Sequence, residues 1–500
     1  MASLTLYPQD ERLAGRERTV FNLYLVTALV LVVVLMLVGL TMRLSQATWV
    51  ALPKNTFFQF LSLHGAGMVG TAVMVTTAGM WFFLRKYVRL HTWAFVTNYV
   101  LFMLGVVCIL VGIYQGYAAL WTYLYPLPVS GMGIWSPASA AWFMIGYLLI
   151  GVGQLIFYFD AAAGVIAKHG NLGRAMGWPW LFGGTVDPEH PKTVVAGTSM
   201  IIANSLGILA GAVSLVMSLV NLLYPDIKID PLFTKSLIYW FGHMYINASI
   251  YMGVIVIYEL LSRYSGKPYP LSRVFLWGWA ATTILVLIVF PHHLLMDFAM
   301  PHWILVVGQV ASWSSGFPVL LVTAWGALTN VYRSNMRWSM PPRWMLLALF
   351  GWITGGFAAV LDSTIRVNLV MHNTQWVPGH FHTYLLLGVL AMVLALMYHW
   401  IGARRNAPPA NSLLDRIGFF VYLIGGLIFV YGFLDGGRRG VARRMAEHWP
   451  EWVVTDQIAS VGAVLVVLAM TYFALRILAG MFGGSPPESS RVPNLADPAG

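Results

Sequence analysis

The chain is 500 residues long, 59% hydrophobic and only 9% charged, where a soluble domain carries roughly 25% charged residues. That composition excludes a soluble cytosolic enzyme; at about 20 apolar residues per crossing it fills about a dozen transmembrane helices in one polytopic bundle. Lys plus Arg number 29 against 18 Asp plus Glu, a net charge of +11, and in a membrane protein such an excess marks cytoplasmic loops before it marks nucleic acid, so no nucleic-acid partner is expected.

Residues 1–19 are polar with mixed charge and lack an apolar stretch ending at a small-residue cleavage site, so they read as a cytoplasmic N-terminal segment before a first helix that is retained. Apolar runs then predict helices at 20–42, 58–84, 93–117, 137–160, 195–223, 236–262, 272–295, 303–331, 343–370, 379–402, 416–434 and 456–482. The expected fold is therefore an all-α integral membrane bundle spanning 20–482. Alternate connections carry the cations, among them Arg16 and Arg18, Arg85 and Lys86, Arg263 and Lys267, and Arg404 and Arg405, which assigns them to the cytoplasmic side. The opposite loops have few, except Arg438, Arg439, Arg443 and Arg444, a cluster that calls for an anionic partner. Residues 483–500 are rich in Pro, Ser and Gly and read as a disordered or extended tail. The single cysteine, Cys108, lies in an apolar run, reads as a small buried residue and leaves no disulfide or thiolate cluster within the chain.

Of 13 histidines, six sit in or near ends of predicted helices: His64, His243, His292, His293, His380 and His382. Ionisable groups inside a bilayer are costly and functional by default. His380 and His382 are two apart and point about 200° from one another on a regular helix, so they do not easily share one metal and are candidates for axial ligands to two different haems. His64 is a candidate for the second axial position of one of them. His292 and His293, after Pro291, can hold one ion together with His243 if the helix opens there. Imidazole suits copper, iron and zinc alike, so the spacing does not choose the metal. A twelve-helix transporter whose histidines relay protons or bind substrate is the alternative from another class; no convincing repeat relates the two halves of the chain, as a rocking transporter would often show.

These motifs resemble subunit I of the haem-copper oxidoreductases over nearly the whole chain, MHNTQWVPGHFHTY looking most like its B-family and PHHLL, followed by a Pro and a Trp, also resembling its C-family. The resemblance implies two haems and one copper ion. His64 and His382 would bind a low-spin haem, His380 a high-spin haem, and His243, His292 and His293 the copper. His372 would lie near the haem propionates, which Arg443 and Arg444 would hold bidentately, with Ala442 in place of the usual proline. Asp362 and Asp297 would contact ligands or propionates, Arg438 and Arg439 the propionates or solvent. Tyr258, Ser312, Gln309 and Glu259 resemble positions of the single proton channel.

The oxygen reductases of this superfamily carry a tyrosine four residues after the first copper histidine, here Asn247, or on the seventh helix six residues before the His pair, here Val286. Cleaving dioxygen in one step takes four electrons, one from that tyrosine, whereas coupling two NO molecules takes two, which the metals supply alone. The cytochrome c-dependent nitric oxide reductases place a glutamate for iron at this sixth-helix position; the amide of Asn247 favours copper. Nitric oxide reductase is therefore the leading expectation and a terminal oxygen reductase the other, with Tyr245 or Tyr251 the first tyrosines to consider as replacement donors. No cupredoxin-like or CxxCH module is present in the sequence, which implies an electron-donating subunit, either a cupredoxin-like copper protein or a c-type cytochrome. The expected location is a bacterial or archaeal inner membrane, with the haem-copper site toward the outer side.

Overall fold

The computed structural model describes residues 6–483, and the tail expected at 483–500 lies, apart from Gly483, outside them. Among the described residues twelve helices are long and apolar enough to cross a membrane. They are α1 (Gly15–Gln46), α2 (Lys54–Leu84), α3 (Thr92–Tyr114), α4 (Pro137–His169), α5 (Lys192–Leu223), α6 (Pro231–Ser265), α7 (Arg273–Leu294), α8 (His302–Val331), α9 (Met340–Asp362), α10 (Trp376–Arg405), α11 (Leu413–Arg438) and α12 (Pro450–Phe482). All twelve sequence-predicted helices are present, and the fold is the all-helical membrane bundle the composition requires.

The boundaries differ where local chemistry overrides hydropathy. α9 ends at Asp362, and the apolar run expected to continue it is a separate short helix, Ile365–Met371. Asn368 Nδ2 caps the break by donating to the Asp362 carbonyl at 2.6 Å. α8 is interrupted at Gly316, before Pro318, which cannot donate a backbone hydrogen bond. Cys108 is partly exposed rather than buried, because its side of α3 faces away from the bundle.

Lipid tails are as apolar as leucine, so helices in a membrane associate by close packing at small residues. Gly105 of α3 and Gly146 of α4 meet this way, since a Cβ on either would stand within 2.7 Å of the other's carbonyl oxygen. Gly425 of α11 and Gly462 of α12 make the same crossing. Aromatic rings fill the wider gaps, with Trp344 of α9 edge-on to Phe419, Tyr422 and Phe473. α2, α6 and α10 are the most buried spans, and they carry four of the six candidate ligand histidines.

The N-terminal segment does not hang free. Leu6, Tyr7, Glu11 and Leu13 are buried against the end of the bundle where α1 begins. The Glu11 carboxylate pairs with Arg263, with Lys86 at 3.3 Å and with His399 Nε2 at 3.0 Å. Glu259 completes the cluster through Lys86 at 2.7 Å, Arg263 at 3.2 Å and the Tyr87 hydroxyl at 2.8 Å. Burial alone would raise the Glu11 carboxyl, but Arg263, His399 and Lys86 outweigh it and hold it well below the usual carboxylate range. A depressed pKa contributes stability that is present above the unfolded value, near 4.3, and is lost only as pH falls toward the folded one. Glu11→Ala, which strands buried cations, should therefore destabilise the chain by about 3–5 kcal/mol. In thermal unfolding in detergent, the gap between wild type and variant should stay constant from neutral pH down to about 5 and close only in stronger acid.

Candidate metal centres

α7 stops being α-helical at Ile288 and tightens into a turn over Phe290–Leu294 that contains Pro291. The turn sets His292 and His293 side by side, ring centres 4.1 Å apart, facing His243 of α6 at 5.0 and 5.4 Å. One ring nitrogen from each of the three lies within 4.8 Å of the others, making a candidate metal site. The remaining nitrogens are held by neighbours: His292 Nδ1 lies 2.8 Å from the Val289 carbonyl, and His243 Nε2 lies 2.9 Å from the Asn247 amide. That leaves His243 Nδ1, 3.2 Å from His293 Nε2, on the inner side of the cluster. Gly308 lets α8 close over the turn, since a Cβ there would stand 2.8 Å from the His292 backbone nitrogen.

His64 of α2 and His382 of α10 face one another at 6.2 Å between ring centres, with planes 27° apart. Two metal–nitrogen bonds of about 2 Å, plus about 1 Å from each nitrogen to its ring centre, span about 6 Å, so the pair is spaced to hold one metal axially. His64 Nδ1 lies 2.8 Å from the Leu35 carbonyl and His382 Nδ1 2.7 Å from that of Pro378, which leaves Nε2 of each as the ligand atom. One helical turn beyond Leu35, Gly39 clears space for the His64 imidazole; a Cβ there would stand 2.7 Å from the ring. Immediately after His382 the chain widens into a π-helical stretch, Thr383–Val389, of the kind that re-aims side chains at functional sites.

His380 lies on the other side of α10, edge-on to Tyr384 at 6.0 Å and with Nε2 4.0 Å from the Asp362 carboxylate. All six histidines, with His372, line one cavity of about 580 Å³ running through the bundle. The loop before α12 closes its mouth. Thr374 and Ala442 form an isolated bridge, and the Arg443 backbone N–H donates to the Asn373 carbonyl at 2.9 Å. Arg444, at φ 62°, occupies the left-handed region, a strained conformation for a side-chain-bearing residue, and both arginines line the cavity. Burial and the neighbouring Arg444 push Arg443 down to about 10, and burial with Arg443 and Arg444 pushes His372 down to about 4. Two crowded guanidiniums at one mouth suit a ligand that brings carboxylates. Buried donors without a protein acceptor, Arg43 Nε and Arg443 Nε, point the same way. The donor set fits porphyrin ligands with propionates and an imidazole-bound ion.

The other expected residues scatter. Arg438 and Arg439 are exposed and pair with Asp435 of their own helix at 2.8 and 2.7 Å. Asp297 pairs with Lys235 at 2.6 Å; burial would raise it, and the Lys235 hydrogen bond with two backbone N–H groups holds it low. Tyr258 meets Thr323 at 2.6 Å and the Trp279 N–H at 3.2 Å, whereas Glu259 belongs to the ionic cluster with Glu11. Ser312 lines the cavity, and Gln309 accepts from the Ile365 N–H at 2.7 Å. Tyr245 and Tyr251 are buried on α6 and line the cavity.

Two features escaped the sequence reading. Tyr239, one turn before His243, stacks on His293 at 5.4 Å with planes 18° apart; its i−4 position on the same helix face was the available signal. Arg43 of α1 pairs with buried Asp456, which also takes His448 at 2.6 Å, and Arg43 lies over Phe433, which stacks on His382. Arg43 stands one residue past the expected end of the first apolar run at 42, and only the longer α1, Gly15–Gln46, places it inside the helix.

A membrane bundle that gathers three imidazoles at one point and opposes two more across a cavity belongs to the class of membrane-embedded metal-binding proteins. The family model described as cytochrome c and quinol oxidase polypeptide I matches residues 19–465, and the chain belongs to that family. It is similar to cytochrome c oxidase subunit 1 of Debaryomyces hansenii, 23% identical over 58% of this chain and 54% of that one. It is 22% identical to subunit 1 of Cereibacter sphaeroides, over 55% and 49%. The chain thus spans about half the length of the curated relatives it matches. Among solved structures, that of a haem-copper terminal oxidase dimer superposes with a TM-score of 0.79 at 19% identity, covering 95% of this chain and 86% of that one, which shows the shared fold.

Gly39→Ala should displace the His64 ring and weaken metal binding between His64 and His382 by about 10- to 100-fold, the usual effect of disturbing groups that orient a ligand. The readout is loss of the metal content and absorption that this pair contributes, with the protein still folded.

Proposed function

We propose that this chain is the catalytic subunit of a respiratory haem-copper oxidoreductase that reduces nitric oxide, 2 NO + 2 e⁻ + 2 H⁺ → N₂O + H₂O. The observation that carries the reading is Asn247. It occupies the helix position of the cross-linked tyrosine in oxygen-reducing relatives, and its amide, 2.9 Å from His243 Nε2, fills the place such a cross-link would take. In this reading His64 and His382 would hold a low-spin haem, His380 a high-spin haem, and His243, His292 and His293 copper, and the bound metals would supply the two electrons.

The chain's own residues do the rest. Leu35, Pro378 and Val289 carbonyls orient the imidazoles, Arg443 and Arg444 with His372 hold propionates, and the apolar cavity wall excludes bulk water. Protons pass by Tyr258 and Ser312, with Glu259 and Gln309 as further members of the path. Electrons come from a partner subunit, a cupredoxin-like copper protein or a c-type cytochrome. The positive-inside pattern sets the N-terminus in the cytoplasm of a bacterial or archaeal cell and the metal centres toward the outer face of its inner membrane.

Oxygen reduction is the second reading, and Tyr239 is what favours it. A phenol stacked on a copper-site imidazole is placed to give an electron and a proton through His293, and the relatives matched are named cytochrome c oxidase subunits.

Purified complex with a reduced donor should form nitrous oxide from NO rapidly and anaerobically while taking up little oxygen on an electrode. Sustained oxygen uptake to water, abolished in Tyr239→Phe, would replace the first reading by the second. Tyr258→Phe should slow turnover at least about tenfold without loss of haem; full activity would remove Tyr258 from the proton path.

A further inference from the structure

A second cavity, of about 480 Å³, lies in the crease between α9 and α11. Leu346, Leu347 and Phe350 of α9 form one wall, and Phe420, Leu423 and Leu427 of α11 the other. Phe350, Phe420 and Leu427 are exposed along it, so the crease opens outward from the bundle. Both helices begin at the same end, where the Met340 N–H donates to the Ala410 carbonyl at 3.0 Å, and there Trp338 and Arg343 close the cavity. Each helix presents an arginine and then an apolar stripe on one face. On α9 the series is Arg343, Leu346, Leu347 and Phe350, and on α11 it is Arg416, Phe420, Leu423 and Leu427, both at the spacing of residues that share a helix face. From Arg343 to Phe350 is seven residues and from Arg416 to Leu427 eleven, about 10 and 16 Å of helix at 1.5 Å per residue. The crease is therefore about half as deep as the roughly 30 Å hydrocarbon core of a bilayer, the depth of a single leaflet.

The charges at its head are unmatched. Arg343 Nη1 donates to Asn411 Oδ1 at 2.7 Å, and Asn411 Nδ2 donates to the Trp338 carbonyl at 3.2 Å, which holds the loop before α11 against the start of α9. Arg416, exposed on α11, stands near enough to repel Arg343. The acid beside it in sequence, Asp415, is buried and engaged by Ser412, Tyr398 and Arg476 instead. Among the described residues neither Arg343 nor Arg416 has a carboxylate partner, and the positive ends of two helix dipoles meet at the same level, which favours an anion there. Guanidinium recognises phosphate by charge and by hydrogen-bond geometry. A transmembrane helix of another protein would need a groove as deep as the whole bilayer, whereas a lipid needs one leaflet. We propose that the crease between α9 and α11 binds one anionic diacyl phospholipid. Its phosphate lies between Arg343 and Arg416, and its acyl chain runs along Leu346, Leu423 and Leu427. The inference stands on this outer face of the bundle and does not depend on which metals the histidines hold.

The test needs no turnover. The purified complex is stripped of lipid by prolonged washing in detergent and titrated with dioleoyl phosphatidylglycerol, dioleoyl phosphatidylcholine or inorganic phosphate. Native mass spectrometry counts the lipids retained, and the midpoint of thermal unfolding reads their effect on the protein. Wild type should keep one phosphatidylglycerol more than a variant carrying Arg343→Gln and Arg416→Gln, in which the affinity of that site should fall at least about tenfold. Phosphatidylcholine should show no such difference. Leu423→Trp, which fills the crease and leaves both arginines, should lose the same lipid, and an absorption spectrum like that of wild type shows each variant to be folded. Equal retention of phosphatidylglycerol by wild type and either folded variant overturns the proposal, as does equal binding of the two lipids. Stabilisation by inorganic phosphate as large as that by phosphatidylglycerol would leave a bare anion site and overturn it too. So would a second protein subunit that stays bound after washing and keeps both lipids out of the wild-type crease.

Discussion

Imidazoles placed inside an apolar bundle must be neutral and aimed. Four of the six candidate ligands meet that constraint by giving one ring nitrogen to the protein and keeping the other for a metal. Carbonyls of Leu35, Pro378 and Val289 take Nδ1 of His64, His382 and His292, and the Asn247 amide takes Nε2 of His243. A hydrogen bond to the second nitrogen fixes tautomer and ring plane together. The backbone must be free to supply those carbonyls, which explains the turn at Pro291 and the π-helical stretch after His382: both occur where α-helical geometry gives way beside a ligand.

The same constraint orders the charges. Among the described residues buried carboxylates are matched by cations, Glu11 and Glu259 by Lys86 and Arg263 at one end, and Asp456 by Arg43, with His448 also bonded to it, toward the other. Buried pairs add little net stability over apolar packing, yet breaking one is costly. Their role here is positional: one cluster pins the N-terminal segment across α2, α6 and α10, and the other holds Arg43 over the ring that stacks on His382. Arg443 and Arg444 lack such a carboxylate partner for both guanidiniums, and they stand at the mouth of the metal cavity, where the proposed propionates would serve as their counter-charge.

In the proposed function, chemistry at the three-histidine cluster turns on one helix face. Asn247 and Tyr239 flank His243 one turn to either side. In the proposed function the Asn247 amide stands where the sequence resemblance expects a phenol, while Tyr239 sets another phenol against His293. Two readings of the reaction therefore meet in residues eight positions apart on α6, and the protein's substrate is a matter of which flank takes part.

Much of this was legible in the sequence because membrane helices are written in long apolar runs, and because histidine is too costly in such runs to be incidental. The twelve spans and the assignment of His380 and His382 to opposite faces follow from spacing and residue type alone, whereas Asn247 in place of a tyrosine is legible only through the family resemblance. What only the tertiary structure decided are the contacts made between helices distant in sequence. Tyr239 reaches His293 across 54 positions and Arg43 reaches Asp456 across 413, and no local pattern encodes either. Glu259 and Tyr258 are neighbours in sequence yet face different helices, since adjacent residues on a helix diverge by about 100°. The crease between α9 and α11 is likewise a property of packed helices: hydropathy says that Leu346, Leu423 and Leu427 are apolar, and only packing says that they leave a space between them.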